Sequence, residues 1–424
     1  MRITPAARAQ RQAAWLVVAF VGIFLFQRLA IPGLSISVTV PLLLAWCLAG
    51  LLAGVLEFDG KRLTLWLVSA GVAGLLIPVQ VLTVNMPIIS INSWLLWNVT
   101  WFPLVLRFTS RTPEAYLSAA KGVAWAGAGI SGLSILFIGL QVVGVAYRDL
   151  VAELVPRALQ LDGFVISYPI AWGSPIYKSN AWLALEPSFL SFMLGVAIVC
   201  AIMTQRNPLL VLWLGAGLLC TTAGSGIAVV GVYVAGVILR GRGRLLVRYL
   251  ALGVIGAVIS GATVLGEAVL DRVSEVGDER SSTSLRMLEP YQHLIPSWLA
   301  DPARTLVGGG PGSSQRVVDD LGILGLLVPT PAKVLYDYGL IGGLLLLAVI
   351  VVAFLRSPAP ELAFSLAFSM LTLQGSAQPL VGLCLVVITL FAPVTLHARP
   401  PGRARGSASA PPRRVRQASR LVPT

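Results

Sequence analysis

The sequence predicts an all-α fold: a polytopic membrane helical bundle of about twelve transmembrane helices, with a large outer loop between the ninth and tenth. Three observations predict it. Of 424 residues, 56% are hydrophobic and only 12% charged, with mean hydropathy +0.84, whereas soluble domains are about 25% charged. Apolar runs of about 20 residues, enough helix to cross a bilayer core of roughly 30 Å, recur along the chain. Lysine and arginine gather in alternate gaps between those runs, as cytoplasmic loops require. This composition excludes a soluble enzyme, a secreted disulfide scaffold and a disordered chain.

Residues 1–13 form a basic N-terminus with Arg2, Arg8 and Arg11. The run after it ends in Phe26-Gln27-Arg28-Leu29, with no small-residue cleavage site, so it reads as a retained span rather than a signal peptide. Helices one to nine fall within 14–266, at about 14–31, 36–56, 63–83, 87–106, 122–147, 184–203, 208–222, 224–240 and 247–268. Residues 208–240 read as two short helices or one broken helix, with Gly224-Ser225-Gly226 as the natural break. Helices ten to twelve fall within 333–396, at about 333–355, 359–376 and 379–396.

With both termini cytoplasmic, the inner gaps hold Lys61 and Arg62; Arg107, Arg111 and Lys121; Arg206; Arg240, Arg242, Arg244 and Arg248; and Arg356. Arg28 is the outer exception. This pattern predicts a multi-pass protein of the cell inner (plasma) membrane. The net charge of +13 then marks cytoplasmic loops and tail, not nucleic-acid binding. The tail, 397–424, has seven arginines between Arg399 and Arg420, no acid, and Pro, Ser, Gly and Ala between them. It reads as a disordered basic segment, held near anionic membrane lipid or docking a cytoplasmic partner. Cys47, Cys200, Cys220 and Cys384 all lie in apolar runs and read as small buried hydrophobes, with no disulfide or metal set.

Two stretches fall outside, Tyr147 to about Leu183 and 267–332. The second holds nine of the eighteen acids: Glu267, Asp271, Glu275, Asp278, Glu279, Glu289, Asp301, Asp319 and Asp320. A loop of that length is usually functional. Within it, Ser284 to Trp298 has the spacing of a helix lying at the interface. A connection on the outside rather than between two halves argues for a site at the outer face.

Four features could carry chemistry. Glu186 opens a span in Leu185-Glu186-Pro187-Ser188. It is either a charge that suits the helix dipole or a carboxylate orienting a cation or sugar hydroxyl. Thr221-Thr222-Ala223-Gly224-Ser225-Gly226 is either close helix packing or an approach for substrate. Arg280 and Arg286, with the run Gly308-Gly309-Gly310-Pro311-Gly312, suit phosphate or diphosphate, because guanidinium forks and free amides both bind anions. The glycines read equally as a flexible turn, and no Walker loop is present. Lys333 and Asp337 lie four apart on one helix face and either pair or share an anionic partner, since lysine at a helix start opposes the dipole. His293 is a loop histidine without metal spacing.

In this order, the Glu-Pro-Ser span, the Ser-Gly turn, the arginine-bearing loop with its glycine run, and Tyr338-Gly339-Leu340-Ile341-Gly342 resemble the O-antigen polymerase and ligase superfamily. The resemblance covers roughly Tyr168 to Leu346. It implies a membrane glycosyltransferase that takes a polyprenyl-diphosphate-linked glycan and joins it to an acceptor glycan, without metal or other cofactor. Ligases of the family carry a histidine ahead of the Gly-x-x-Gly pair; here that place falls on Val328, followed by Pro329. Polymerisation of repeat units into a surface or secreted polysaccharide is therefore the expectation, ahead of ligation of a finished glycan or transport. By the same resemblance Arg286 faces the diphosphate, with Arg280 second. Glu186, Arg286 and Lys333 are the expected catalytic residues. Ser188, Ser225, Arg280, Tyr291, His293, Arg304, Gly310 and Tyr336 are the expected substrate contacts. Polysaccharide export proteins are candidate partners.

Overall fold

The computed structural model describes residues 4–34, 36–171, 173–204, 207–247, 288–323 and 326–372, with single positions between 249 and 253 and between 382 and 390. The expected spans 247–268 and 379–396, together with Arg280, Arg286 and the tail, lie wholly or largely outside these residues.

The described chain is mostly helical. In order, the helices are α1 (Pro5–Phe26), α2 (Thr39–Leu52), α3 (Gly60–Thr83), α4 (Ile91–Trp101), α5 (Pro113–Val142), α6 (Leu150–Leu154), α7 (Pro187–Met203), α8 (Pro208–Leu219) and α9 (Gly224–Leu239). After the outer stretch come α10 (Glu289–Leu299), α11 (Pro302–Val307), α12 (Ser313–Asp320), α13 (Thr330–Leu355) and α14 (Pro360–Thr372). Among the described residues, α1, α3, α5 and α13 are long and apolar enough to cross a membrane.

Local chemistry sets many of the ends. Thr4, Asp59, Ser90, Thr112, Asn207 and Asp301 each cap a helix through a side-chain oxygen, satisfying an amide that the first turn leaves unbonded. Proline follows at the first turn in α1, α5, α7, α8 and α11, where its missing N–H costs nothing. Caps also move two boundaries from the expected ones. Thr112 starts α5 nine residues before the apolar run, so Lys121 lies inside the helix. In the expected span 87–106, α4 ends at Trp101 and a 3₁₀ turn, Phe102–Val105, carries Pro103, which lacks the N–H that an α-helical bond would need.

Residues 208–240 are two helices, α8 and α9, separated by the turn Cys220–Ala223. The packing runs α1 on α5, α5 on α7 and α8, α7 on α9, α9 on α14, and α14 on α13, with α3 on the other side of α13. The short helices α10, α11 and α12 pack on the start of α13.

Strands are few and short. β1 (Ala30–Ile31) pairs antiparallel with β2 (Ile36–Ser37), and β3 (Leu56–Phe58) with β4 (Leu106–Phe108), Glu57 opposite Arg107. The second pair collects charge beside the start of α3: Arg107 bonds Glu57 at 2.8 Å and Asp59 at 3.2 Å, and Arg111 bonds Glu57 at 2.7 Å. The Arg111 bond, then that of Arg107, holds the Glu57 carboxyl below its ordinary range.

Arg28, the cation that breaks the charge pattern, is buried and paired. Its Nη1 and Nη2 donate to the two Asp149 carboxylate oxygens at 2.7 Å each, and Nη1 also donates to the Trp182 carbonyl at 2.7 Å. Burial works against the Asp149 charge, but Arg28 and the Ala152 N–H outweigh it and hold the carboxyl low. The four cysteines are buried free thiols.

Candidate functional site

Two polar clusters contain most of the described candidate residues, and each forms where small residues let backbones meet. The first lies at the start of α13. That helix is broken at Gly339, with φ 65° and ψ −167°. Beside the break, the Tyr336 and Asp337 carbonyls accept from the Gly309 N–H at 2.8 Å and the Gly310 N–H at 3.0 Å. A Cβ on Gly308 would stand 2.3 Å from the Asp337 carbonyl oxygen, and one on Gly339 2.3 Å from that of Leu306. Both glycines have positive φ, so any side chain is doubly excluded.

The glycine run is therefore a clamp rather than a flexible turn. On its other side the Ile88 N–H donates to Gly309 at 3.0 Å and the Ser90 N–H to Pro311 at 2.9 Å. Gln80, fully buried on α3, donates to the carbonyls of Val307 at 2.5 Å and Asp337 at 3.0 Å. Gly310 is buried and its N–H is already bonded, so that amide faces no external anion.

Asp337 is the hub of this cluster and is 1% exposed. Its carboxylate accepts from the Gly312 N–H at 3.0 Å, the Ser314 N–H at 2.8 Å, Ser313 Oγ at 3.1 Å and Lys333 Nζ at 3.1 Å. Gly312 to Ser314 begin α12, so the carboxylate is the anion at that helix N-terminus, where the dipole favours it. The unfavourable place of Lys333 at the start of its own helix finds an internal counter-charge in Asp337.

Arg304 completes the cluster. It donates to Tyr336 Oη at 3.3 Å and to the Asn85 carbonyl at 3.0 Å, and its guanidinium carbon stands 5.7 Å from the Tyr336 ring centre. Tyr336 Oη lies 3.2 Å from Ser297 Oγ. Beneath, Leu294, Val318, Leu326, Val328, Ala332 and Tyr336 form a core, with Tyr291 against it. Burial pushes the Tyr291 phenol above its ordinary value, so it stays a neutral hydroxyl. Val328, at the family's histidine position, is 1% exposed within this core: apolar packing fills that place. His293, two residues on from Tyr291 and so turned to the other side of α10, is exposed.

The second cluster surrounds the start of α7. Glu186 is 6% exposed; its carboxylate accepts from Ser188 Oγ at 3.0 Å and from the Val165 N–H at 3.4 Å. Ser225 Oγ donates to the Ser188 carbonyl at 2.5 Å. Ser191 Oγ donates to the Ala223 carbonyl at 2.8 Å and accepts from the Gly226 N–H at 3.0 Å. A Cβ on Gly226 would stand 2.0 Å from the Ser191 carbonyl oxygen. Close packing thus accounts for the small residues, and it threads a line of hydroxyls between α7 and α9.

The structure brings Arg304, Gly310, Lys333 and Tyr336 together, and separately Glu186, Ser188 and Ser225. Arg280 and Arg286 lie outside the described residues. One residue of these clusters escaped the sequence reading, Gln80, and two more, Ser191 and Thr222, fall in stretches it singled out without being named as site residues. Gln80 left a signal, a lone amide two residues after Pro78 in an apolar run. Ser191 and Thr222 were not picked out from their neighbours, because a single hydroxyl in an apolar helix or turn is commonplace. No protein-family model matches this chain, and neither does any curated protein.

Proposed function

We propose that the chain is a membrane glycosyltransferase that polymerises polyprenyl-diphosphate-linked oligosaccharide units into a surface or secreted polysaccharide. One observation carries the reading. The glycine run at 308–312 and the Tyr338–Gly342 motif, separated in sequence, dock on each other and gather Lys333 and Arg304 at one junction. These are the motifs that carry the family resemblance, and a cationic junction suits a diphosphate leaving group. The reading keeps twelve spans, both termini in the cytoplasm, and both clusters at the outer face of the plasma membrane.

In the reaction, an acceptor hydroxyl forms the new bond to the anomeric carbon. The bond from that carbon to the diphosphate breaks, and the electron pair leaves with polyprenyl diphosphate. The hydroxyl proton passes to Glu186, a base within a cluster of hydroxyls. Lys333 and Arg304, with Arg286 from the outer loop, balance the charge on the leaving group.

The test is glycan analysis of a deletion strain, with its lipid-linked intermediates. Single lipid-linked repeat units should accumulate and long polymer should vanish, and the wild-type chain should restore it. Accumulation of long lipid-linked chains would assign a ligase instead, and unchanged glycans would reject both.

A further inference from the structure

The turn between α8 and α9 has a feature that close packing does not explain. Thr222 has φ 43°. The left-handed region is hostile to β-branched side chains, because Cβ crowds the backbone. Thr222 is also 2% exposed, and its Oγ1 has no hydrogen-bond partner among the described residues. A buried hydroxyl without a partner costs about 1–3 kcal/mol. Two penalties at one residue are tolerated where the surrounding structure imposes them, and such residues gather at functional sites.

The surroundings do impose them. Ala181 and Trp182 share the left-handed region, with φ 49° and 58°. Their segment docks on the same turn, where the Ser179 N–H donates to the Cys220 carbonyl at 3.0 Å. Asn180 Oδ1 accepts from the Trp182 N–H at 2.9 Å, and Ser134 Oγ donates to Ser179 Oγ at 3.0 Å. On the other side, Ser225, one turn from Thr222, leads through Ser188 to Glu186. The irregular chain at 164–166 closes over Glu186: Phe164 stacks edge-on against Phe189 at 5.8 Å, and the Val165 N–H reaches the carboxylate.

We propose that Thr222 and Glu186 frame the acceptor subsite, with Thr222 Oγ1 kept free to hydrogen-bond a hydroxyl of the acceptor glycan. This assignment rests on the glycosyltransferase reading. The chemistry chooses the ligand: a sugar hydroxyl can donate to the Glu186 carboxylate and accept from Thr222 Oγ1, whereas an ionised diphosphate has no proton to donate. The cations of the other cluster suit the donor. The 164–166 segment moves aside to admit the acceptor.

The experiment complements the deletion strain with Thr222→Val, Thr222→Ser and the wild-type chain, reading polymer length, membrane abundance and the melting midpoint of purified protein. Valine keeps the shape and removes the hydroxyl. It should cut long polymer about tenfold, the worth of one hydrogen bond, at unchanged abundance and with a melting midpoint no lower than wild type. Serine keeps the hydroxyl and should retain most of the polymer. Normal polymer with valine would overturn the assignment. So would a fall in melting midpoint and abundance in step with polymer, which marks a structural hydroxyl, or equal loss with serine. Failure of the wild-type chain to restore polymer would overturn the glycosyltransferase reading and the assignment together.

Discussion

Lys333 and Asp337 show how a residue's meaning depends on what it touches. Four apart on a helix, they form an ion pair of 3.1 Å, but their side chains are only 13% and 1% exposed. The pair is not symmetric. Asp337 also holds the two backbone amides and the hydroxyl at the start of α12, while the Lys333 ammonium donates to Asp337 alone among the described hydrogen bonds. Asp337→Asn leaves a largely buried ammonium without a counter-charge and should cost about 3 kcal/mol. Lys333→Met leaves the carboxylate three donors and keeps the apolar stem, so about 1.5–2 kcal/mol is expected, the lower end for one charged hydrogen bond. Melting midpoints of purified protein in detergent should fall in that order. Exchange of the two residues should not rescue stability, because an acid at position 333 would no longer meet the α12 amides. Equal losses, or rescue by exchange, would mean the pair acts only within its own helix.

At the scale of elements, the glycine clamp is the joint between α3, α11, α12 and α13. Gly308 has φ 87°, and its added Cβ would stand 2.3 Å from a backbone oxygen, an atom that cannot swing aside. Gly308→Ala should therefore separate the clamp from the break in α13 at a cost of about 3 kcal/mol, at the severe end for single substitutions. Gly129→Ala is the control, since nothing lies within 4 Å of the added Cβ and alanine favours a helix. Membrane abundance and melting midpoint should drop for the first and hold or rise for the second. The run Gly308-Gly309-Gly310 was visible in the sequence, but its role was not. Three glycines read alike as a flexible turn, an anion cradle or a clamp, and only the partner carbonyls at Tyr336 and Asp337 distinguish them.

For the whole molecule, the charge distribution predicts the orientation. Single cysteines placed at Gln315, exposed on α12, and in the 397–424 tail, in a chain with its native cysteines replaced, should differ in intact cells. The cysteine at 315 should react with an impermeant thiol reagent, and the tail only after permeabilisation; the reverse would invert the topology. Composition and the period of apolar runs determined by themselves a mostly helical chain with helices apolar and long enough to cross a membrane, where lipid permits few other ways to satisfy a backbone. Local sequence also set many helix starts, at Thr4, Asp59, Thr112 and Asp301, where cap and proline chemistry involves only adjacent residues. Tertiary structure alone decided the rest. It paired Arg28 with Asp149, 121 positions apart, broke α13 at Gly339, clamped the glycine run, and left the Thr222 hydroxyl buried without a partner among the described residues. Those outcomes depend on which distant backbone or charge lies within about 3 Å, the reach of a hydrogen bond, and no local pattern of residues contains that distance.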